Sequence, residues 1–425
     1  MKILADRIKW LVRVGRDLLL TPVVVLMPRN RRKIVFGAWS GHQYSCNPRY
    51  LFEALCLSGK FTCVWIGDIA LRDVVLSSVP GARFAAKGSL SALWHCLTAR
   101  FYACNVQWRS DIIDIPRCNR VVLLYLTHGM PDKKGYGGDG AVQGDTTRRT
   151  GLRLFLSDAL SRLFQWQYRE SAWCSHSSRQ SAGFRIQNCA RRFSWEKSLC
   201  EGTPRGDFFR KASSNNEQRN ELRQKFAKLL GLDLSRKWWL FVPTWRHESK
   251  YLFSFSTSKK FAEYVKLFKA NDVILLEKQH PKTLEDGMLT SGSIGPVKVI
   301  SKDEARQIDT QELLVACDRL ITDYSSVYYD FVLMNRPVIH FTYDFDHFMD
   351  KDMGFLYDIR DYGGGPFAYS EDELLDFLKR DDSELLMDRS PETLDVQLAG
   401  ETGHACEAYG ELLDRLSKIN SFFVR

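Results

Sequence analysis

Short apolar runs alternate with stretches of helical spacing over most of the chain. Residues 33–39 (KIVFGAW), 61–68 (FTCVWIGD) and 119–129 (NRVVLLYLTHG) read as buried strands, the last ending at Thr127, and residues 48–59 (PRYLFEALCLSG) read as a helix. A polar, charged stretch over 211–233 then interrupts the pattern. Beyond it, strands are predicted at 237–246 (KWWLFVPTWR), 272–281 (DVILLEKQHP), 297–301 (VKVIS), 319–326 (RLITDYSS) and 336–344 (RPVIHFTYD), with helices between them and a last helix over 403–418. Such alternation implies parallel strands joined by crossover helices. The expected fold is α/β: two doubly wound domains, 34–230 and 231–400, facing a central cleft, then a C-terminal helical segment, 401–425. Length agrees, since 425 residues exceed one ordinary core and suit about two domains.

The first 33 residues follow a different rule. Ile8, Leu11, Val12, Leu18 and Leu19 recur at helical spacing, while Lys9, Arg13, Arg16 and Asp17 fall mainly on another face, until Pro22 interrupts. The apolar stretch is too short and too charged to cross a bilayer, which needs about 20 apolar residues, and no small-residue cleavage site follows it. Residues 1–33 are therefore expected to form a basic amphipathic helix. Two placements are open for it: in an anionic membrane surface, or packed on its own domain.

Charge sharpens this picture. Residues 1–33 and 148–210 each carry an excess of +7, more than the whole net charge of +9, so the remainder of the chain is acidic. Two concentrated blocks are unlike a diffuse basic coat for nucleic acid, and no zinc-finger, helix-turn-helix or RNA-binding signature is present. The eleven cysteines include no C-x-x-C pair and no clustering around histidines, which reads as reduced thiols and not as a disulfide frame or zinc site.

In open parallel sheets the ligand crevice lies outside the carboxyl ends of the strands. The polar residues just past the predicted strands are His128 and Gly129; Thr244, Trp245 and Arg246; Lys278, Gln279 and His280; and Asp323, Tyr324, Ser325 and Ser326. This set suits a phosphorylated ligand. Ser325 and Ser326 either cap the helix that follows or offer hydroxyls and free N–H groups to an anion; Arg246 suits bidentate phosphate recognition and Lys278 supplies a point charge. His128 and His280, with an unperturbed pKa near ~6.5, suit general acid or base roles. The pair Asp344 and Asp346 has the D-x-D spacing of metal-dependent sugar transferases, but in an acidic loop it reads as solvated carboxylates.

With these residues assembled, the chain resembles the CDP-glycerol glycerophosphotransferase family, teichoic-acid primases and polymerases of the GT-B fold. The resemblance runs in order through FGAWSGHQYSCNPRYLFEAL, HGMP, CSHSSRQSAGF, GTPRGDFF, PTWR, KQHP, LITDYSSVYYDFVLMNRPVIHFTYD and GGGPFAYSEDELLDFL. It implies two Rossmann-like domains, the first for the acceptor and the second for the donor. His128 and His280 match the family's active-site histidines; Arg246, Ser325 and Ser326 match positions around the donor diphosphate. Asp330 matches an acidic position near the donor and Arg205 an arginine of the GTPRGD motif. Two departures stand out: Met130 where the family usually has threonine, and Gly206 where asparagine is usual.

The reaction so implied is attack of an acceptor hydroxyl on the β-phosphorus of a CDP-polyol, CDP-glycerol or CDP-ribitol, with CMP leaving and a phosphodiester formed. One histidine would take the acceptor proton and the other would stabilise the departing phosphate. The acceptor would be a lipid-linked or growing surface glycan of teichoic-acid or capsule type, and the enzyme peripheral on the cytoplasmic face of the bacterial inner membrane. No cofactor and no metal is expected. Two other readings fit parts of the sequence: a GT-B glycosyltransferase using a nucleotide sugar, and a non-enzymatic basic membrane-surface protein.

Overall fold

The computed structural model describes residues 2–118, 120–130, 133, 172–188, 193–244, 246, 252–279, 291–352 and 354–419. The side chains of residues 2–11, Ile8, Lys9 and Leu11 among them, and His280 as a whole lie outside this set.

Among the described residues, seven strands form the first sheet: β1 (Asn30–Phe36), β2 (Thr62–Gly67), β3 (Arg83–Ala86), β4 (Ala99–Cys104), β5 (Val122–Tyr125), β6 (Trp173–Ser175) and β7 (Ser198–Leu199). Their order is β3-β2-β1-β4-β5-β6-β7, and every pairing is parallel. The second sheet comprises β8 (Lys237–Val242), β9 (Val273–Glu277), β10 (Gly292–Ile294), β11 (Val297–Val299), β12 (Arg319–Thr322), β13 (Val338–Phe341) and β14 (Phe367–Ala368). It runs β10-β11-β9-β8-β12-β13-β14, with β10 alone of these antiparallel, so both sheets step outward from their first strand in the same doubly wound way. The order reverses between β1 and β4 in one sheet and between β8 and β12 in the other. Ligands of such sheets bind at these switch points.

Burial explains why the central strands read as unbroken apolar runs. All six residues of β4 are buried, as are all of β9 and β12, because helices cover both faces of a parallel sheet.

Eight helices shape the cleft and its surroundings: α1 (Lys2–Leu26), α2 (Cys46–Ser58), α3 (Arg179–Asn188), α4 (Pro204–Ser214), α5 (Asn216–Leu230), α6 (Thr310–Ala316), α7 (Val327–Val332) and α8 (Ala405–Lys418). α1 corrects the expected interruption at Pro22, since the helix runs through that residue to Leu26. The last turn is held from outside: Val24 is buried among Val35, Ala99 and Tyr102, and Arg29 donates to the carbonyls of Val24 and Cys96. On the other face Val12, Leu19, Val23 and Leu26 are exposed at spacings of seven, four and three residues.

Packing assigns the chain's later helices in a way that crosses sequence order. α5 places Phe226 and Leu230 in a core with Trp238, Leu313 and Leu314 of the second half. α8 returns to the first half, where Tyr409, Leu412, Leu413 and Leu416 pack on Ile34, Phe36, Leu51 and Leu55. Asp207 of α4 accepts the first N–H groups of α8, from Ala405 at 2.9 Å and Cys406 at 2.8 Å, satisfying donors that a helix start leaves open.

Candidate active site

His128 follows β5 by three residues. Thr127 before it has φ +57°, a conformation that costs a β-branched residue energy and is held by its neighbours. Asn47 of α2 supplies the hold: its Nδ2 donates to the carbonyls of Leu126 (2.7 Å) and Thr127 (3.2 Å), and its Oδ1 accepts the N–H of Arg205 at 2.9 Å. The imidazole of His128 has Nδ1 3.1 Å from the Asn105 carbonyl, which makes Nδ1 the protonated nitrogen when the ring is neutral. Burial pushes its pKa down to about 4, with the Asn105 bond opposing and Arg205, Arg185 and Lys133 adding to the fall. The ring of Trp39 lies 4.9 Å away.

Across the cleft, α7 begins at Ser326. The serine Oγ makes no capping bond to the helix, so the simple cap expected as one reading is not formed. Ser325 and Ser326 are partly open toward the cleft, and the two halves meet here: a Cβ on Gly129 would lie 2.6 Å from the Ser326 Oγ. Glycine at 129 is what lets the His128 turn and the Ser326 turn approach.

A buried ion pair fixes this juxtaposition. Arg205 Nε lies 3.0 Å from Asp330 Oδ1, and Arg205 Nη1 donates to the His128 carbonyl at 2.6 Å. Burial raises the Asp330 carboxyl to about 6, against the pull of Arg205. Arg49 makes a second bridge between halves, 2.8 Å from Asp309 Oδ2 and 2.8 Å from Glu312 Oε1.

Arg246 is placed differently from the phosphate ligand expected of it. Its Nε and Nη2 bind both oxygens of Asp344 (2.7 and 3.1 Å), Nη2 also lies 2.8 Å from Asp323 Oδ2, and Nη1 donates to the Thr244 carbonyl. Asp323 in turn accepts the Thr244 N–H at 2.8 Å. The guanidinium thus ties the exit of β8 to the exit of β12. The reading of Asp344 as a solvated carboxylate is corrected as well: it is buried and takes the Tyr324 hydroxyl at 2.9 Å besides Arg246. Apolar rings around Arg246, with Tyr324 5.0 Å from its guanidinium carbon, keep water from the pair.

Among the described residues, Thr244 Oγ1 is buried with no hydrogen-bond partner, and Lys278 has no ion pair. Burial lowers the Lys278 pKa, with Asp309 opposing. His340 belongs to the site's frame. Its Nε2 accepts the Gly364 N–H at 3.0 Å, so Nδ1 carries the proton and donates to the Asp323 carbonyl at 3.3 Å. Burial lowers its pKa to about 4.

Gly206 also has a structural account. A side chain there would overlap the Glu401 carboxyl, which accepts the Thr203 N–H and hydroxyl at 3.0 Å each. The space that a side chain at 206 would take is filled from the crossover before α8.

The comparisons with known proteins agree with this architecture. The family described as CDP-Glycerol:Poly(glycerophosphate) glycerophosphotransferase matches residues 19–392. A teichoic acid poly(glycerol phosphate) polymerase of Bacillus spizizenii is 30% identical over 84% of this chain and 86% of its own length. A teichoic acid glycerol-phosphate transferase of Staphylococcus aureus is 25% identical over 83% of this chain and 85% of its own. The solved wall teichoic acid polymerase TagF superposes with a TM-score of 0.72 at 22% identity, covering 98% of both chains, which carries the likeness of fold. From its family match and its relatives, the chain belongs to the CDP-glycerol:poly(glycerophosphate) glycerophosphotransferase family.

Proposed function

We propose that the protein transfers glycerol phosphate from CDP-glycerol to a hydroxyl of a lipid-linked or growing surface glycan. The acceptor oxygen attacks the β-phosphorus, the bond to the bridging oxygen breaks, CMP leaves, and a phosphodiester is formed. His128 is the base. Its Nδ1–H is committed to the Asn105 carbonyl, so Nε2 holds the lone pair that takes the acceptor proton. The observation that carries this reading is the approach of the His128 turn to the Ser326 Oγ, held by Arg205 and Asp330, which sets a base opposite two hydroxyls suited to phosphate oxygens.

Ser325, Ser326, Thr244 Oγ1 and Lys278 bind the donor diphosphate in this account. Arg246 and Asp323 act by shaping the turn that presents the serines, and His280 supports the leaving phosphate. Positioning and fixed charges supply most of the acceleration, as is general for phosphoryl transfer. The experiment is phosphorus NMR of products from CDP-glycerol, CDP-ribitol and a sugar nucleotide: a phosphodiester and CMP support the reading, and a glycosidic product alone contradicts it.

The exposed row Val12, Leu19, Val23 and Leu26, beside Arg13 and Arg16, supports peripheral docking on an anionic membrane where a lipid-linked acceptor would lie. No described helix is long and apolar enough to cross a membrane. Vesicle sedimentation after Leu19→Glu and Leu26→Glu tests it; unchanged binding to anionic vesicles would count against α1.

A further inference from the structure

Among the described residues of the first half, four that are not glycine hold left-handed backbone: Trp39 (φ +49°), Ser40 (φ +58°), Cys46 (φ +65°) and Thr127 (φ +57°). All four gather around His128. Thr127 precedes it, the Cys46 Sγ lies 3.9 Å from the Thr127 carbonyl, and the Trp39 ring is 4.9 Å from the imidazole, with Ser40 next in the chain. Such conformations cost folding energy and persist only where the surroundings impose them, as functional sites do.

Buried polar groups do the imposing at Trp39 and Ser40. Asn105, wholly buried, accepts the Trp39 N–H on its Oδ1 at 3.1 Å, and the carbonyl of the same residue lies 3.1 Å from Nδ1 of His128, so one residue sets both rings. Asp111, also wholly buried, accepts the Ser40 N–H at 2.9 Å, and Lys87 Nζ donates to the Ser40 carbonyl at 2.6 Å. An indole wanted only for packing could sit on relaxed backbone. This one is carried to the imidazole on a strained turn.

The charge that His128 acquires gives the indole a purpose. As the acceptor oxygen bonds to phosphorus, its proton passes to Nε2 and the ring becomes an imidazolium, which returns the proton to water after the product leaves. Arg205, Arg185 and Lys133 oppose that positive charge, while the Asn105 carbonyl favours it. An aromatic face attracts a cation within about 6 Å of its centroid, and tryptophan does so most strongly. We propose that Trp39 is a positioning residue for the reaction: its indole holds the imidazole in place and its π electrons stabilise the imidazolium that forms during transfer. The inference rests on the transfer reaction proposed above.

The test uses the full chain with mono-, di- and trifluorinated tryptophan in place of Trp39, which weakens the π face stepwise at nearly constant size. kcat and KM are measured with CDP-glycerol and the acceptor. The fluorine resonance is titrated with pH in the CDP complex, and His128→Asn serves as the control that removes the titration. kcat is expected to fall at each step, roughly tenfold over the series, with KM for CDP-glycerol within twofold of wild type. The fluorine midpoint should drop in parallel by about one pH unit, because a weaker π face favours the neutral ring. Trp39→Phe should keep more activity than Trp39→Leu; should the leucine variant not fold, the near-isosteric fluorinated series decides alone. An indole that only packs would leave kcat and the midpoint level along the series, and that result would overturn the proposal, as would a loss confined to KM. Wild type that forms no phosphodiester from any CDP-polyol would instead refute the transfer reading. The fluorine midpoint, which needs no turnover, would then still decide whether Trp39 stabilises the charged ring.

Discussion

Arg205 and Asp330 meet at 3.0 Å in a buried ion pair that joins the two halves of the molecule, one from α4 and one from α7. Because Arg205 also holds the His128 carbonyl, the pair sets the base relative to the serines at the start of α7. Breaking a buried pair from one side leaves an uncompensated charge and costs about 3–5 kcal/mol, whereas replacing both partners by apolar groups is far milder. Urea unfolding should therefore show Arg205→Met much less stable than Arg205→Met with Asp330→Leu. Turnover should stay low in both, since neither holds the His128 carbonyl.

Ser326→Ala separates capping from binding. With no cap bond to lose, the variant should unfold within about 0.5 kcal/mol of wild type. Donor affinity should drop, read as KM for CDP-glycerol or as a smaller thermal shift with the donor present. A loss of stability with donor affinity unchanged would return Ser326 to the role of a cap.

His128 predicts a particular pH dependence. With a free-enzyme pKa near 4 the ring is already a neutral base at pH 6, so kcat/KM should stay level well below the usual histidine range. The donor's phosphate charge favours the protonated ring, so the acid limb of kcat should lie at higher pH than that of kcat/KM. Coincident limbs near 6.5 would contradict the placement of the ring.

His340 links acidity to folding. Its folded pKa of about 4 lies below the unfolded value, so between pH 4 and 6.5 the unfolded chain binds the extra proton and stability falls as pH falls. The loss is roughly 3 kcal/mol over that window for this residue alone. His340→Asn should be less stable at pH 7 but show a shallower decline toward pH 4.5, measured by urea midpoints.

Much of this architecture is legible in the residues. β1, β5, β8, β9 and β12 are apolar runs bounded by polar strand ends, and those ends hold His128 after β5, Lys278 after β9, and Ser325 and Ser326 after β12. β4, although central, was hidden because the helix Leu90–Thr98 passes into it with no turn residue between. The partners of Arg246 were hidden for another reason. Asp323 and Asp344 lie 77 and 98 positions away, and only the joining of three loops puts them on the guanidinium. His340 sits inside the apolar run VIHF, where nothing local distinguishes a buried ring that pins two loops from one that merely packs. Asn47 had a local hint, a polar residue at a helix start, but its three bonds reach across the fold.

Gly206 offers a test of how the crossover fills the cleft. Gly206→Asn alone should cost about 1–3 kcal/mol through overlap with Glu401. Pairing it with Glu401→Gly should recover most of that, in thermal melts. An undiminished melting point for the single variant would show that Glu401 moves freely.

The central claim is that His128 removes the acceptor proton during attack on the donor's β-phosphorus. The most direct measurement is single-turnover CMP release and phosphodiester formation by wild type and His128→Asn, with both substrates saturating. The account predicts one CMP per phosphodiester in wild type and a fall of about 10²–10⁴ in rate for the variant, with donor affinity kept. A His128→Asn protein that folds and transfers at the wild-type rate would contradict it.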